Sequence, residues 1–282
     1  MRRKAFILLL IMTFTSLAGC GSNEPTASDV SLSETTVVTS ETTTIETTET
    51  IPTPTPYPTP VPTPEPEYIE PEFEETWYSG FVDARSIRAQ IIDNPDDILA
   101  LVNKYYAVPE DYVPSDLVDA PHSFNQQLRK EVNDAWIKMY DDCLAETGKG
   151  LQLVSGWRDN WTQQYLFDRS KNKNGIAFAV KKNAIPGRSE HQLGLAIDLT
   201  TDYWDNIKDD FDKTDVGIWV NEHCYEYGFV IRYKEEYSAE TGYGKETWHY
   251  RYVGVEVATY LYENDMSLEA YLGKVQVLPD DE

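Results

Sequence analysis

Residues 21 to 76 have a composition that cannot fold on its own, and this limits the folded domain to the residues that follow. This segment consists mainly of Ser, Thr, Glu and Pro, with twelve acidic residues and no Lys or Arg. Such a composition cannot bury enough apolar surface to offset the conformational entropy that folding removes. We therefore predict a disordered linker over residues 20–76 and one folded domain over residues 77–282, where most aromatic residues lie.

Eight prolines alternate with other residues between Pro52 and Pro66. Alternating prolines favour the extended polyproline II conformation, which gives a rod of roughly 45 Å at ~3.1 Å per residue. We interpret the linker as a spacer, with a ligand for a proline-binding domain as the alternative.

The amino terminus has the pattern of an export signal. Three basic residues precede the apolar run 5–12, which is too short for a permanent transmembrane helix. Residues 17–20 read Leu-Ala-Gly-Cys and resemble the lipobox of bacterial lipoproteins. The resemblance implies a signal peptide over residues 1–19 and diacylation of Cys20, which would hold the protein on the outer face of the membrane. An ordinary secretory signal with an incidental cysteine is the alternative.

Charge and cysteine content limit the partners and the covalent links of the chain. The net charge is -24, and a surface this acidic repels phosphates, so nucleic-acid binding is not expected. Cys143 and Cys224 lie beside apolar residues in predicted helices, which favours two buried free thiols over a disulfide. Arg232 and Arg251 are expected to be structural partners of the abundant carboxylates.

Apolar periodicity predicts an α+β domain with a small mixed or antiparallel sheet flanked by helices. Ser123 with Gln126 resembles a capping box, and apolar residues recur at helical spacing from Leu128 until Gly148 ends the run. The other predicted helices are 161–171, 216–227 and 255–263, and the predicted strands are 151–155, 195–199, 229–233 and 247–253. The elements lack a regular parallel crossover rhythm, which favours α+β.

The segment around His191 has the features of a functional turn and strand. Residues 195–199 read Leu-Ala-Ile-Asp-Leu, so strand alternation places Asp198 on the face opposite the three aliphatic residues. Ala196 shares that face and is small enough to admit a ligand close to the backbone. Gly194 would let the chain turn so that His191 points to the same place as Asp198.

A second segment adds a histidine and an acid. His249 lies in a predicted strand, and Glu246 lies in the turn before it. Together with His191 and Asp198, His249 supplies three N and O donors, the set that a catalytic zinc takes while a fourth position stays open for water. Glu246 could then accept a proton from that water and deliver it to a leaving amine.

These residues resemble a known family. The patterns Ser-x-His-x-x-Gly-x-Ala-x-Asp at 189–198 and Glu-x-Trp-His at 246–249 are similar to VanY-type zinc D-alanyl-D-alanine carboxypeptidases, whose wider group includes lysostaphin-like peptidases and the hedgehog fold. Residues 155–158, with Gln163, resemble the family's Ser-Gly-Tyr-Arg motif. The resemblance covers residues from about 95 to 275. Trp157 and Thr247 depart from the pattern, which expects Tyr and Pro there, but neither is a ligand.

The resemblance implies a role for each site residue. The implied zinc ligands are His191, Asp198 and His249. Glu246 is the implied general base and acid, and Arg158 would orient the substrate and stabilise the oxyanion, because its planar fork bonds two oxygens at once. Gln163 and Ser189 are expected to form hydrogen bonds with the peptide.

The function that the resemblance implies is hydrolysis of the terminal D-Ala-D-Ala bond in peptidoglycan stem peptides. The export signal and the linker predict a location facing the cell wall, and a monomer is the default expectation. An L,D-carboxypeptidase, a peptidoglycan endopeptidase and a non-catalytic zinc-containing module that binds the wall remain alternatives. Glu246 disfavours the last of these, because a structural zinc site has no need of an unliganded carboxylate three residues before a ligand.

Overall fold

The computed structural model describes residues 83–204 and 206–275. The predicted signal peptide over 1–19, the linker over 20–76 and the lipidation residue Cys20 lie outside these ranges and stay predictions. Within the described ranges, no helix is long and apolar enough to cross a membrane.

Helices surround a small central sheet. In the described part of the chain, the helices are α1 (Lys130–Thr147), α2 (Asn160–Asn174), α3 (Ile176–Lys182), α4 (Asp215–His223), α5 (Ser238–Thr241), α6 (Val255–Glu263) and α7 (Leu268–Tyr271). The strands are β1 (Gln90–Ile91), β2 (Tyr106–Ala107), β3 (Leu117–Asp119), β4 (Gln127–Arg129), β5 (Leu151–Ser155), β6 (Ala196–Thr201), β7 (Phe229–Ile231) and β8 (His249–Tyr252).

The central sheet has the strand order β5-β6-β8-β7, and every neighbouring pair is antiparallel. Two smaller sheets, the parallel pair β1-β2 and the antiparallel pair β3-β4, flank it. The predicted α+β class with a small mixed or antiparallel sheet is therefore confirmed.

The largest apolar cluster lies on one face of the central sheet. Ile197 and Leu199 of β6 are fully buried and belong to the same apolar cluster as Trp136 and Met139 of α1. The predicted alternation is confirmed, because Asp198 between them faces away from this cluster and towards the functional site.

The predicted start of the long helix was wrong. The Ser123 hydroxyl does accept a hydrogen bond from the Gln126 amide at 3.0 Å, as a capping turn would. The chain then forms strand β4, however, and Leu128 pairs with Val118 of β3, so α1 begins only at Lys130. Pairing with β3, about ten residues earlier in the chain, took the backbone groups that a helix would have used. The predicted end is confirmed, because Gly148 adopts a left-handed φ of 70°.

Other boundaries differ in detail. The predicted helix 216–227 ends as α4 at His223 and continues as the 3-10 turn Cys224–Tyr227, whereas α6 has the predicted bounds. Cys143 and Cys224 are both buried and free, as predicted.

Candidate active site

Three predicted zinc ligands meet at the two inner strands of the central sheet, β6 and β8. His191, Asp198 and His249 are buried, and one ligand atom from each lies within 4.8 Å of the others. Asp198 of β6 pairs directly with His249 of β8 in the antiparallel ladder. His191 Nε2 lies 3.1 Å from Asp198 Oδ2, and His249 Nδ1 lies 2.9 Å from Asp198 Oδ1. The pairing of β6 with β8 therefore positions Asp198 and His249, and the turn before β6 positions His191.

The turn before β6 directs His191 into the site. His191 lies in the 3-10 turn Glu190–Leu193, which ends at Gly194 with a left-handed φ of 67°. A β-carbon at Gly194 would lie 3.0 Å from Arg129 Cγ, so this position combines backbone strain with a close approach. The glycine predicted for this turn has the conformation that reverses the chain.

Both histidines are anchored through the ring nitrogen that faces away from Asp198. His191 Nδ1 lies 2.7 Å from the Gly156 carbonyl oxygen, to which it donates. His249 Nε2 lies 3.2 Å from Glu190 Oε2 and donates to that carboxylate. Zinc-ligating histidines commonly donate their second N–H to a carbonyl or carboxylate in this way. The two ring nitrogens that face Asp198 and the Asp198 carboxylate therefore fit a zinc ion.

Glu190 is a functional residue that was not predicted from the sequence. Its carboxylate accepts hydrogen bonds from Arg232 Nε at 2.7 Å and from Arg251 Nη1 at 2.9 Å, in addition to the one from His249. Burial by itself would raise the pKa of Glu190, but the two guanidinium groups hold that pKa well below its usual range. Glu190 is therefore a fixed negative charge beside the zinc site.

The two arginines extend this buried network into the rest of the domain. Arg232 forms a bidentate pair with Glu269 of α7 at 2.8 and 2.7 Å. Arg251 Nη2 donates to the backbone carbonyls of Ile98 and Ala100. The predicted structural role of both arginines is confirmed, and their carboxylate partners connect the site to α7.

Glu246 lies beside the ligands without belonging to them. Its Oε2 is 3.9 Å from His249 Nδ1, and 18% of its side chain is exposed. Burial raises the pKa of Glu246 to about 7; the charge of Asp198 adds to this effect, while the charges of His249 and Lys182 oppose it. A carboxylate with a pKa near neutrality can both accept and release a proton at working pH.

Arg158 also lies near Asp198. Its Nη2 donates to the Ser155 hydroxyl at 2.7 Å and lies 3.8 Å from Asp198 Oδ2, while its Nη1 donates to Gln163 Oε1 at 2.8 Å. The Gln163 amide in turn donates to the Ala184 carbonyl at 2.7 Å. The oxygen and the nitrogen of the Gln163 amide thus both form hydrogen bonds within the protein, which indicates a role in positioning Arg158. The predicted hydrogen bond of Gln163 with a peptide stays a prediction.

These residues line one open cavity of about 550 Å³. Ser189 lines this cavity, together with Tyr243 and the zinc ligands. Tyr233 was not predicted, although its ring stands 4.8 Å from that of His249 and forms part of the same wall. The cavity is larger than one alanine requires, so it has room for a peptide.

Comparison with known sequences identifies relatives over most of the folded region. Residues 125–255 match the family described as VanY, D-alanyl-D-alanine carboxypeptidase. A putative carboxypeptidase, YodJ of Bacillus subtilis strain 168, is 42% identical over 195 residues, which cover 66% of this chain and 71% of the relative. The bifunctional D-Ala-D-Ala dipeptidase and D-Ala-D-Ala carboxypeptidase VanXYC of Enterococcus gallinarum is 34% identical over 61% of this chain and 92% of its own.

Solved structures share the fold. The LdcB LD-carboxypeptidase aligns with a TM-score of 0.62 and 39% identity over 67% of this chain and 92% of its own. VanYB in complex with D-alanine-D-alanine aligns with a TM-score of 0.55 and 31% identity over 63% and 98%. A mutant VanY D,D-pentapeptidase in complex with Zn(II) aligns with a TM-score of 0.54 and 31% identity over 62% and 98%. The predicted zinc cofactor agrees with this bound metal and with the cluster of His191, Asp198 and His249.

Proposed function

Because this chain belongs to the VanY family of D-alanyl-D-alanine carboxypeptidases, we propose that it is a zinc-dependent enzyme that removes the terminal D-alanine from peptidoglycan stem peptides. The observation that carries the proposal is the position of Glu246, a carboxylate 3.9 Å from the zinc-facing nitrogen of His249 and outside the ligand set. A purely structural zinc site would have no use for such a group.

The zinc ligands and Glu246 have different roles in the proposed hydrolysis. Zinc, when bound by His191, Asp198 and His249, supplies Lewis-acid polarisation of the scissile carbonyl and of the attacking water. Glu246 accepts the proton that the water loses as its oxygen bonds to the carbonyl carbon. When the C–N bond breaks, Glu246 returns that proton to the amine of the departing D-alanine.

Arg158 orients the substrate and stabilises negative charge. Its guanidinium is fixed by Ser155 and Gln163 and points towards the same space as the Asp198 carboxylate. A donor held in place before the reaction stabilises developing charge without reorganisation at the moment of reaction. The proposed role is to bind an oxygen of the peptide, either the oxyanion or the terminal carboxylate.

A second candidate function is removal of D-alanine from a tetrapeptide by cleavage of an L,D bond. The observation that favours it is the similarity to the LdcB LD-carboxypeptidase, at 39% identity and a TM-score of 0.62. The ligands, Glu246 and Arg158 would serve both reactions equally, because the two bonds differ only in the residue that precedes the terminal alanine.

One experiment tests the function and separates the two candidates. Zinc-loaded full-length protein is incubated with pentapeptide and tetrapeptide stems, and released D-alanine is measured by mass spectrometry with and without chelator. The proposal expects chelator-sensitive release from the pentapeptide, restored by zinc. Release from the tetrapeptide alone would establish the L,D activity, and no release from either peptide by folded, zinc-loaded protein would contradict a carboxypeptidase function.

We further propose that lipid on Cys20 holds the enzyme on the extracytoplasmic face of the membrane, within reach of the wall. The support is the sequence alone, namely the lipobox-like residues 17–20 and the proline-rich spacer that follows them. Replacement of Cys20 by Ala should move the protein from the membrane fraction to the soluble fraction of a bacterial host. An unchanged distribution would contradict the anchor.

A further inference from the structure

The α2–α3 region carries a charge opposite to that of the whole chain. Residues 160–183 contain five basic residues and one acidic residue, although the chain has a net charge of -24. The basic residues are Arg169, Lys171, Lys173, Lys181 and Lys182. Such a local reversal in an acidic protein indicates a surface that meets negative charge.

Three of these cations face the catalytic cavity. Arg169, Lys173 and Lys182 are exposed and line the same 550 Å³ cavity as the zinc ligands. Within the described residues, none of the three side chains forms an ion pair or a hydrogen bond, whereas Lys130 and Lys138 of α1 each pair with an aspartate one turn further along the helix. The cations at the cavity are thus left available to a ligand.

The positions of Arg169 and Lys173 along α2 indicate how far they lie from the catalytic residues. Gln163, Arg169 and Lys173 share the cavity-facing side of the helix, and Lys173 lies ten residues beyond the residue that positions Arg158. Ten residues of helix span ~15 Å. An extended peptide covers this distance with four to five residues at ~3.3 Å each. Lys173 lies in the last turn of α2, where a cation stabilises the helix end, but its repulsion with Arg169 at positions i and i+4 opposes that gain.

Side chains of both charge signs line the cavity. Its carboxylates are mostly those of the zinc site, and Asp209 is the one acid among the described lining residues outside that site. Arg169, Lys173 and Lys182 outnumber this one acid. A carboxypeptidase has only one substrate residue on the carboxyl side of the cleaved bond, so the remaining cavity accommodates the amino side of the substrate.

We propose that Arg169, Lys173 and Lys182 form a cationic subsite that binds a carboxylate on the amino side of the substrate peptide, within about five residues of the cleaved bond. This inference rests on the proposed function, and it names a specificity determinant of that same site. The substrate class is a peptide that ends in alanine and carries a free acidic group upstream.

Lys182 differs from the other two members of this cationic subsite. Its charge lowers the pKa of Glu246, so its replacement would change proton transfer as well as substrate binding. Arg169 and Lys173 are not among the charges that shift this pKa most, so they are the residues to test. Lys171 offers a matched control, because it lies on the same helix, is exposed and does not line the cavity.

The test uses two pentapeptides that differ only in whether their acidic residue carries a carboxylate or a carboxamide. Zinc-loaded full-length parent, the double variant Arg169→Gln/Lys173→Gln and the control Lys171→Gln are compared by steady-state kinetics. For the carboxylate peptide, the double variant should raise KM roughly three- to tenfold with kcat unchanged, since each exposed charge pair contributes modestly. The carboxamide peptide should show no change, and added salt should raise KM of the parent only for the carboxylate peptide.

Other outcomes would overturn the subsite. An equal rise in KM for both peptides, or an effect no larger than that of Lys171→Gln, would contradict carboxylate recognition. If the parent cleaves neither peptide, the proposed function fails, and calorimetric binding of the two peptides then decides the subsite. If the parent binds the carboxylate peptide more tightly and the double variant does not, the subsite is supported. If the parent binds the two peptides equally, the subsite is contradicted.

Discussion

At the scale of single residues, the site separates zinc binding from proton transfer. His191, Asp198 and His249 provide the ligand atoms, and Glu246 stands beside them with a pKa near 7. Replacement of a ligand is therefore expected to lower zinc binding, whereas replacement of Glu246 is expected to lower the reaction rate.

Replacement of Glu246 by Gln should leave the fold and the zinc content intact and lower kcat by roughly 10² to 10⁴, the contribution of a positioned general base. Gln has nearly the shape of Glu but cannot take the proton from water. The measurement is the rate of D-alanine release alongside zinc content by metal analysis. An unchanged rate would remove Glu246 from the mechanism.

Replacement of Glu190 by Gln should lower zinc affinity about 10- to 100-fold, because the carboxylate that orients His249 would lose its charge. The variant should also lose ~3–5 kcal/mol of unfolding free energy, since Arg232 and Arg251 would stay buried with less compensation. Zinc affinity is measured by competition with a chelator and stability by urea denaturation.

Glu269→Gln is the matched control for this prediction. Glu269 is equally buried and pairs with the same Arg232, but the structure gives it no contact with a ligand. It should lower stability while zinc affinity stays near that of the parent. Equal losses of zinc affinity in the two variants would show that Glu190 acts only through stability.

At the scale of elements, the pairing of β6 with β8 and the turn at Gly194 assemble the site. Gly194→Ala should lower the unfolding free energy by ~1–2 kcal/mol, because a left-handed conformation disfavours a β-carbon. It should also weaken zinc binding, since the turn directs His191. Stability and zinc affinity are measured as for Glu190.

The control for the turn is Gly148→Ala at the end of α1. Gly148 has a similar φ of 70°, and a β-carbon there would meet nothing within 4 Å. This variant should show a similar cost in stability without loss of zinc affinity. If both variants bind zinc like the parent, the turn at Gly194 is not what positions His191.

The sequence could predict those parts of the fold and the site that depend on local pattern. Alternation in β6 separated Asp198 from the core residues around it, and the sequence of α6 predicted both of its ends. The start of α1 was not predictable, because β4 depends on pairing with β3 ten residues earlier. Glu190 was missed for the same reason, since its partners Arg232 and Arg251 are 42 and 61 residues away in sequence.

At the scale of the whole molecule, zinc should act as a stabilising ligand of the folded domain. A ligand that binds only the folded state adds about 2.7 kcal/mol at a free concentration 100 times its Kd. Chelation should therefore lower Tm, and added zinc should restore it in a concentration-dependent manner. Thermal unfolding with and without chelator checks this expectation.

His249→Ala is the control for the zinc-dependent shift, because it removes one of the three ligands. Its Tm should not respond to zinc concentrations that stabilise the parent. A variant that keeps the full response and a full zinc content would contradict the ligand assignment.

The pairing of Asp198 with His249 couples metal content to correct folding. These residues are 51 positions apart in the chain and meet only when β6 and β8 adopt their native alignment. A slip of one residue would turn the His249 side chain to the opposite face of the sheet, away from Asp198. Zinc bound per chain therefore measures the fraction of molecules in a preparation whose strands are correctly aligned, independently of any enzymatic assay.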